Sequence, residues 1–232
     1  MMKTVGLIGG IAPESTIEYY RQIVASYHQH SRAGNYPPII INSINLKRLL
    51  DLVAANELDA LTEYLLVEIE KLAAAKADFA ALASNTPHIV FDRLRKRSPL
   101  SLISIVETAC VEAEARKLKR VGLFGTRFTM QGGFYPDVFS RAGIRLVLPN
   151  EAEQDYIHTH YINELINGIF LPETKEGLLK IVDRLKDNCD IDGIILGGTE
   201  LPLILNDSAH NGIAFLDTTR IHVKRIVAEL LA

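Results

Sequence analysis

The chain has 232 residues, of which 48% are hydrophobic and 23% charged, and its formal net charge is -3. This length fits one large domain or two small ones, with a sizeable core. The composition argues against disorder, and the lack of a basic excess argues against nucleic-acid binding. No apolar run is long enough to span a bilayer, no signal pattern is present, and two cysteines cannot form a disulfide framework. We therefore expect a cytoplasmic protein that binds neither membrane nor nucleic acid.

Predicted strands and helices alternate along the chain. Residues 5–8 form a short β-type run that ends at two glycines, and a helical pattern follows at 17–25. Further strands are predicted at 37–44, 79–83, 102–104, 121–124, 146–148 and 193–196, with helices at 46–55, 58–75, 106–116, 162–166, 175–185 and 219–231. Hairpin dipeptides are few, so the pattern indicates parallel sheets covered by helices on both faces, which is the α/β class.

The two halves of the chain resemble each other. The run VGLIG at 5–9 is echoed by VGLFG at 121–125, and the strand ends at 84–86 and 198–200 repeat at nearly the same offset. Duplication explains both offsets, and chance likeness between α/β strands is the alternative. If duplicated lobes face each other, the loops that follow their strands meet in one cleft, where ligands of α/β proteins bind.

The loop at 9–16 (GGIAPEST) precedes a helix and combines small residues with two hydroxyls. Free backbone N–H groups at a helix entry suit an anion, so Gly10, Pro13, Ser15 and Thr16 are candidate contacts for a substrate carboxylate. The loop lacks the third glycine of a dinucleotide fingerprint and the lysine of a phosphate-binding loop. An ordinary turn, with Ser15 or Thr16 capping the helix, is the alternative.

Polar residues also follow two other predicted strands. Asn85 and Thr86 can hold a carboxylate or amide by hydrogen bonds, while His88 can transfer protons or cap the next helix. Gly198 allows a ligand to approach the backbone closely. Glu200 is an acid or base candidate, or alternatively a carboxylate that interacts with a helix dipole.

Three further features complete the candidate site. Thr126 and Thr129, in a loop that mirrors the first one, supply two more hydroxyls. Lys47 follows a strand and offers a cation for a second substrate carboxylate, with an exposed helical lysine as the alternative. His158 and His160 are too isolated to indicate a metal, so no metal site is predicted.

Four ordered motifs together resemble the aspartate/glutamate racemase family. They are GGxxPxST at 9–16, SNTPH at 84–88, GTxxT at 125–129 and LGGTEL at 196–201, and the segment from 217 to 222 is similar to the family's closing segment. The resemblance covers essentially the whole chain. It implies two similar α/β lobes, related by a pseudo-twofold axis with the active-site cleft between them, at 1–97 with 211–232 and at 98–210. It also implies a homodimer, no pyridoxal phosphate and no metal.

The resemblance further implies where protons are transferred. Family members use two cysteines, one thiolate removing the α-proton and the opposite thiol delivering another, because thiol pKa values can be tuned near neutrality. The matching positions here are Ser84 and Gly198, so the two-thiol mechanism cannot operate. Cys110 and Cys189 lie elsewhere, and buried structural roles are expected for both. The residues left to handle protons are Thr199, Glu200 and His88.

The residues leave three hypotheses about function open. The first is cofactor-independent α-proton chemistry on a small amino acid or dicarboxylate, as in an amino-acid racemase, an isomerase. The second is a carboxylate-binding protein without turnover, because the binding loops are kept where the thiols are replaced. The third is a one-base lyase or isomerase on the same scaffold.

Overall fold

The computed structural model describes residues 3–30 and 35–232, and the chain divides into two compact units. One unit is Met1–Ile105 with Thr219–Ala232, and the other is Val106–Thr218. These boundaries differ from the expected 1–97 with 211–232 and 98–210. The reason is strand pairing, since a strand at 101–103 joins the first sheet and the strands within 209–217 join the second.

The first unit is built on a four-stranded sheet. Its strands lie in the order β2-β1-β3-β4, and all pairings are parallel. Proline at the first position of α1 suits a helix start, because that position needs no N–H donor. In chain order the elements are β1 (Val5–Gly9), α1 (Pro13–His30), β2 (Ile39–Ser43), α2 (Leu46–Ala54), α3 (Leu58–Ala74), β3 (Phe79–Leu82), a 3-10 helix (Thr86–Val90), α4 (Phe91–Arg97) and β4 (Ser101–Ile103).

The second unit has five strands in the order β6-β5-β7-β9-β8, parallel except for the β8–β9 pair. No helix in the described residues is long and apolar enough to cross a membrane. The elements are α5 (Ile105–Ala115), β5 (Arg120–Gly125), α6 (Arg127–Gln131), α7 (Phe134–Arg141), β6 (Arg145–Val147), α8 (Glu151–Asn163), a 3-10 helix (Leu165–Asn167), α9 (Pro172–Cys189), β7 (Gly193–Gly197), α10 (Leu201–Ile204), β8 (Ala209–His210), β9 (Ile213–Asp217) and, across the boundary, α11 (Thr218–Leu231).

The carboxy-terminal helix α11 packs into the core of the first unit. Its Val223, Ile226 and Leu230 share one buried cluster with Leu7 of β1 and Ile23 of α1. Burying a side chain of this size contributes roughly 1.5–3 kcal/mol. The end of the chain therefore helps to hold β1, the strand that leads into the glycine loop at 9–16.

The structure confirms the α/β class and shows that the two sheets share one strand order. β2-β1-β3-β4 in the first unit corresponds to β6-β5-β7-β9 in the second, as a duplication requires. Several elements of the second unit were not predicted: α7, β8, β9 and most of α8. The sequence predicted a helix only at 162–166 in this region, because the residues before it are largely polar. Helix α8 in fact begins at Glu151, where a capping box between Asn150 and Glu153 starts it.

Candidate functional site

Each sheet has a topological switch point, at β1 in the first sheet and at β5 in the second. β1 has β2 on one side and β3 on the other, and β5 likewise lies between β6 and β7. In open α/β sheets, ligands bind outside the carboxyl ends of the strands at such points. The candidate loops 9–16 and 84–88 leave β1 and β3, and the loops 125–129 and 197–200 leave β5 and β7. Within each unit, the structure thus brings two of the predicted loops to one sheet edge.

The glycine loop of the first unit is held in place by its own residues. Gly10 has a φ of +78°, and a Cβ there would lie 2.6 Å from Ser43 Oγ, so the position requires glycine. The Gly10 N–H donates to Thr16 Oγ1 at 2.8 Å. Ser15 is buried and Pro13 is exposed. Thr16 therefore shapes the loop from within, and carboxylate binding by this loop stays a prediction.

The loop after β3 is buried and centred on a histidine. Ser84, Asn85, Thr86 and His88 are all less than 9% exposed. The His88 Nδ1 lies 3.1 Å from the Ser84 carbonyl oxygen, and its Nε2 accepts the Ile105 N–H at 3.2 Å. Both ring nitrogens thus have main-chain partners, with the proton on Nδ1. This geometry favours support of the loop over proton transfer by His88.

A second buried histidine lies in the same unit. His222 Nδ1 is 2.8 Å from the Tyr19 hydroxyl, and Nε2 is 3.0 Å from the Ile103 carbonyl oxygen. Burial lowers the pKa of His222 to about 4. Burial, followed by the charge of His222, lowers the pKa of His88 to about 3. Both imidazoles are therefore neutral at neutral pH, and each is fixed by hydrogen bonds.

Lys47 lies on the surface of α2 and pairs with a carboxylate of its own helix. Its Nζ is 2.6 Å from Asp51, one turn later, and its side chain is 83% exposed. The neighbouring Arg48 guanidinium lies 4.4 Å from the centre of the Tyr64 ring. These contacts fit the alternative considered above, an exposed helical lysine.

The two strand-end loops of the second unit meet at Thr129. Its hydroxyl lies 3.2 Å from that of Thr126, which also accepts the Thr129 N–H and so caps α6. A Cβ on Gly125 would lie 2.9 Å from Thr129, and one on Gly197 would lie 3.1 Å from it. Glycines at both strand ends allow Thr129 to pack against β5 and β7 together.

Tyr161 of α8 occupies the space beside Gly198. A Cβ on Gly198 would lie 2.8 Å from the Tyr161 hydroxyl oxygen and 2.9 Å from its Cζ, closer than real contacts allow. Tyr161 itself is only 6% exposed. Tyr161 could not be predicted from the sequence, because no motif contains it and only tertiary packing brings α8 to the end of β7.

A buried carboxylate completes this group. Glu200 is 2% exposed, and its Oε2 accepts hydrogen bonds from the Tyr161 hydroxyl and, at 2.9 Å, from the Thr199 hydroxyl. Burial, and then the charge of Glu200, raise the pKa of Tyr161 well above its usual value near 10. Tyr161 is therefore a neutral donor to Glu200. Three groups able to carry protons thus surround the predicted site of the second thiol.

Neither cysteine lies in one of the four candidate loops. Burial, and then the charge of Glu114, raise the pKa of Cys110 to about 11, so its thiol is neutral at neutral pH. Cys189 ends α9 and is half-buried, not buried as expected. Among residues 3–30 and 35–232, no group of three or more histidine, cysteine, aspartate or glutamate side chains could hold a metal ion.

Two largely parallel sheets with corresponding strand orders, each with polar and glycine-rich loops at its switch point, define an α/β protein with candidate ligand sites at its strand ends. Residues 8–226 match the family model described as Asp/Glu/Hydantoin racemase. The chain therefore belongs to the Asp/Glu/hydantoin racemase family, in agreement with the motifs of the sequence.

Three relatives match this chain over nearly its whole length or all of it. The broad specificity amino-acid racemase RacX of Bacillus subtilis is 23% identical, over 98% of this chain and 98% of its own. A Yersinia pestis protein, described as a candidate Asp/Glu racemase, has a structure similar at a TM-score of 0.90, with 28% identity and 100% of both chains covered. An aspartate racemase homologue from Pyrococcus horikoshii gives a TM-score of 0.84 and 29% identity, again over 100% of both chains.

Proposed function

We propose that this protein binds a small amino acid or dicarboxylate and acts on its α-proton without a cofactor. The observation that carries the proposal is the buried Glu200 carboxylate, bonded to two hydroxyls at the end of β7 in a chain of the racemase family. A carboxylate and a tyrosine hydroxyl can both take part in general acid–base catalysis. RacX and the racemase homologues named above support an amino-acid ligand.

The chemistry differs from two-thiol racemisation. Ser84 and Gly198 stand at the positions that the family resemblance assigns to the thiols, and the raised pKa of Cys110 removes it as a substitute base. A serine hydroxyl without an adjacent base is a very weak nucleophile and base. We therefore infer that proton transfer uses other groups and that any racemisation is slow or altered. Homodimer formation and a cytoplasmic location stay predictions from the sequence.

The test is exchange of the substrate α-proton with deuterated solvent, followed by proton NMR. The wild-type protein is incubated with the L and D forms of aspartate and glutamate, and ligand binding is measured in parallel by saturation-transfer NMR. The proposal is supported if the α-proton signal is lost at a faster rate than in the enzyme-free sample. Binding without exchange would instead identify a carboxylate-binding protein without turnover, and a changed carbon skeleton would identify a lyase or isomerase.

A gain-of-function variant tests the substrate site separately from the native chemistry. Restoring both thiols with Ser84→Cys and Gly198→Cys is not enough, because a side chain at 198 collides with the Tyr161 ring. Tyr161→Leu is therefore added to provide space. Racemisation of aspartate or glutamate by the triple variant would show that the loops bind these substrates. The matched control is Ser84→Cys with Tyr161→Leu, which lacks the second thiol.

A further inference from the structure

Tyr161 lies where a side chain at position 198 would lie. The ring and hydroxyl come within 3 Å of the space that a Cβ at Gly198 would fill, at the carboxyl end of the central strand β7. Glycine at 198 and tyrosine at 161 are therefore a matched pair, since any larger residue at 198 would displace the ring. This fit places a phenolic hydroxyl at the strand end where a ligand of this fold binds.

The hydroxyl is also connected to a group that can store a proton. It donates to Glu200 Oε2, the oxygen that also accepts from Thr199. A buried carboxyl group accepts hydrogen bonds when ionised, and gains one O–H donor when protonated. Hydrogen bonds in such a low-dielectric environment strengthen each other. The Thr199 bond stabilises the Glu200 carboxylate in the orientation that faces Tyr161.

From this arrangement we propose that Tyr161 and Glu200 form a proton relay, in which Tyr161 exchanges a proton with the substrate α-carbon and Glu200 stores it. The proposal deepens the proposed function and rests on it. It names the groups that replace a thiol in the second unit. Thr199 is a positioning residue in this scheme, because it holds the Glu200 carboxylate and also forms a hydrogen bond with the Tyr161 hydroxyl.

The step balances in atoms and charge. The substrate Cα–H bond breaks, its electron pair stays on the substrate as an enediolate, and the proton moves to the Tyr161 oxygen. The original Tyr161 O–H bond breaks at the same time, and that proton moves to the Glu200 carboxylate. Tyr161 ends neutral and Glu200 ends protonated. Return of the proton follows the same path in reverse, and exchange of Glu200 with solvent introduces deuterium.

The electrostatics require Glu200 to take part. Burial and the adjacent carboxylate raise the pKa of Tyr161, so a tyrosinate beside an ionised Glu200 would place two buried negative charges together. Passing the proton on to Glu200 avoids that state, because the pair then carries at most one negative charge: one before the step, and none after it, when the charge is on the substrate enediolate. Tyr161 alone would be a poor base here, whereas the pair can act in both directions.

The experiment measures α-proton exchange of aspartate and glutamate in deuterated buffer for Tyr161→Phe and Glu200→Gln. Phenylalanine keeps the ring beside Gly198, and glutamine keeps the size of Glu200, but neither can pass the proton. Each variant is expected to lose at least about 100-fold of the exchange rate, the usual range for an acid–base group, with the dissociation constant little changed. The control is Tyr156→Phe, which removes a half-buried hydroxyl from the same helix and should leave exchange unchanged.

Several results would overturn the relay. The relay is overturned if Tyr161→Phe exchanges the α-proton at a rate within about threefold of the wild type, because an acid–base group should cause a much larger loss. That result would leave the proposed function standing. Parallel loss of binding and exchange would make Tyr161 a packing residue. Absence of exchange in the wild type would overturn both proposals. If Tyr161→Phe does not fold, as judged by circular dichroism, Glu200→Gln decides: an unchanged rate refutes the relay, and the expected loss supports it.

Discussion

The pairing of Gly198 with Tyr161 predicts a strong energetic coupling between the two positions. In Gly198→Ala, the new Cβ would lie 2.8 Å from the Tyr161 hydroxyl oxygen, whereas ordinary contact begins at 3.4 Å. The ring must move, and its hydrogen bond to Glu200 is then strained or lost. Overpacking of a core costs about 1–3 kcal/mol, and a hydrogen bond to a charged group contributes about 1.5–3 kcal/mol. We expect Gly198→Ala to lose at least about 2 kcal/mol of the free energy of unfolding.

A double-mutant cycle isolates this coupling. Tyr161→Leu removes the ring, at a cost of about 2 kcal/mol for a large-to-small change in a core. Once the ring is absent, alanine at 198 meets no ring to displace, so the double variant should be about as stable as Tyr161→Leu alone. The expected coupling energy is then about 2 kcal/mol, against the roughly 0.5 kcal/mol within which independent mutations add.

The assay is urea unfolding followed by far-UV circular dichroism, because the chain contains no tryptophan. Gly198→Ala combined with Tyr156→Phe serves as the control, since the Tyr156 hydroxyl lies against Gly177 and not against Gly198. These two changes should be additive. If Gly198→Ala unfolds at the wild-type urea concentration, or if its effect simply adds to that of Tyr161→Leu, the packing argument is refuted.

Three further predictions concern acid stability, the glycine loop and thiol reactivity. The pKa values of His222 and His88 in the folded protein lie below the unfolded value of 6.5. Their contribution to the free energy of unfolding should therefore be fully present above pH 6.5. It should decrease as the pH falls toward 4, by up to about 1.4 kcal/mol per pH unit for each histidine. Urea midpoints at several pH values measure this slope, which His222→Gln should reduce and the exposed His30→Gln should leave intact. Gly10→Ala should destabilise by more than about 2 kcal/mol, since it adds a collision with Ser43 to the cost of a positive φ, whereas Gly143→Ala, with a φ of +70° and open space, should lose only about 1 kcal/mol. Equal thermal shifts for the two glycine variants would contradict the role assigned to the loop. In the native protein, a thiol reagent at neutral pH should modify the half-buried Cys189 but not Cys110, because the pKa of Cys110 is about 11. Rapid modification of a Cys189→Ser variant would contradict this prediction, since it would show that Cys110 is reactive.

Much of the fold could be predicted from the sequence, because its signals are local. Apolar runs such as 5–8 and 193–196 are short, are bounded by glycines and alternate with helical patterns, which fits buried parallel strands. The class and the positions of the four loops followed from this pattern. Helix α8 was largely missed, because its polar sequence buries only three residues, Gln154, Ile157 and Tyr161, and carries little periodic signal.

The candidate site divides in a similar way. Glycines and polar residues directly after strands identified Gly198 and Glu200, since the ends of parallel strands meet at one sheet edge. Their partners could not be found in this way. Tyr161 is 39 residues from Glu200 along the chain, and His88 is paired with Ile105 through a main-chain hydrogen bond that no side-chain pattern reports.

The sequence by itself determined the α/β class, the family and the absence of cysteine from positions 84 and 198, because residue identities and local spacing carry that information. Tertiary structure decided what surrounds those positions. Long-range packing filled the space beside Gly198 with Tyr161, fixed both nitrogens of His88 to the backbone and set the unit boundaries through the pairing of β4 and β9. These features depend on contacts between residues far apart in the chain, and such contacts exist only once the sheets have formed.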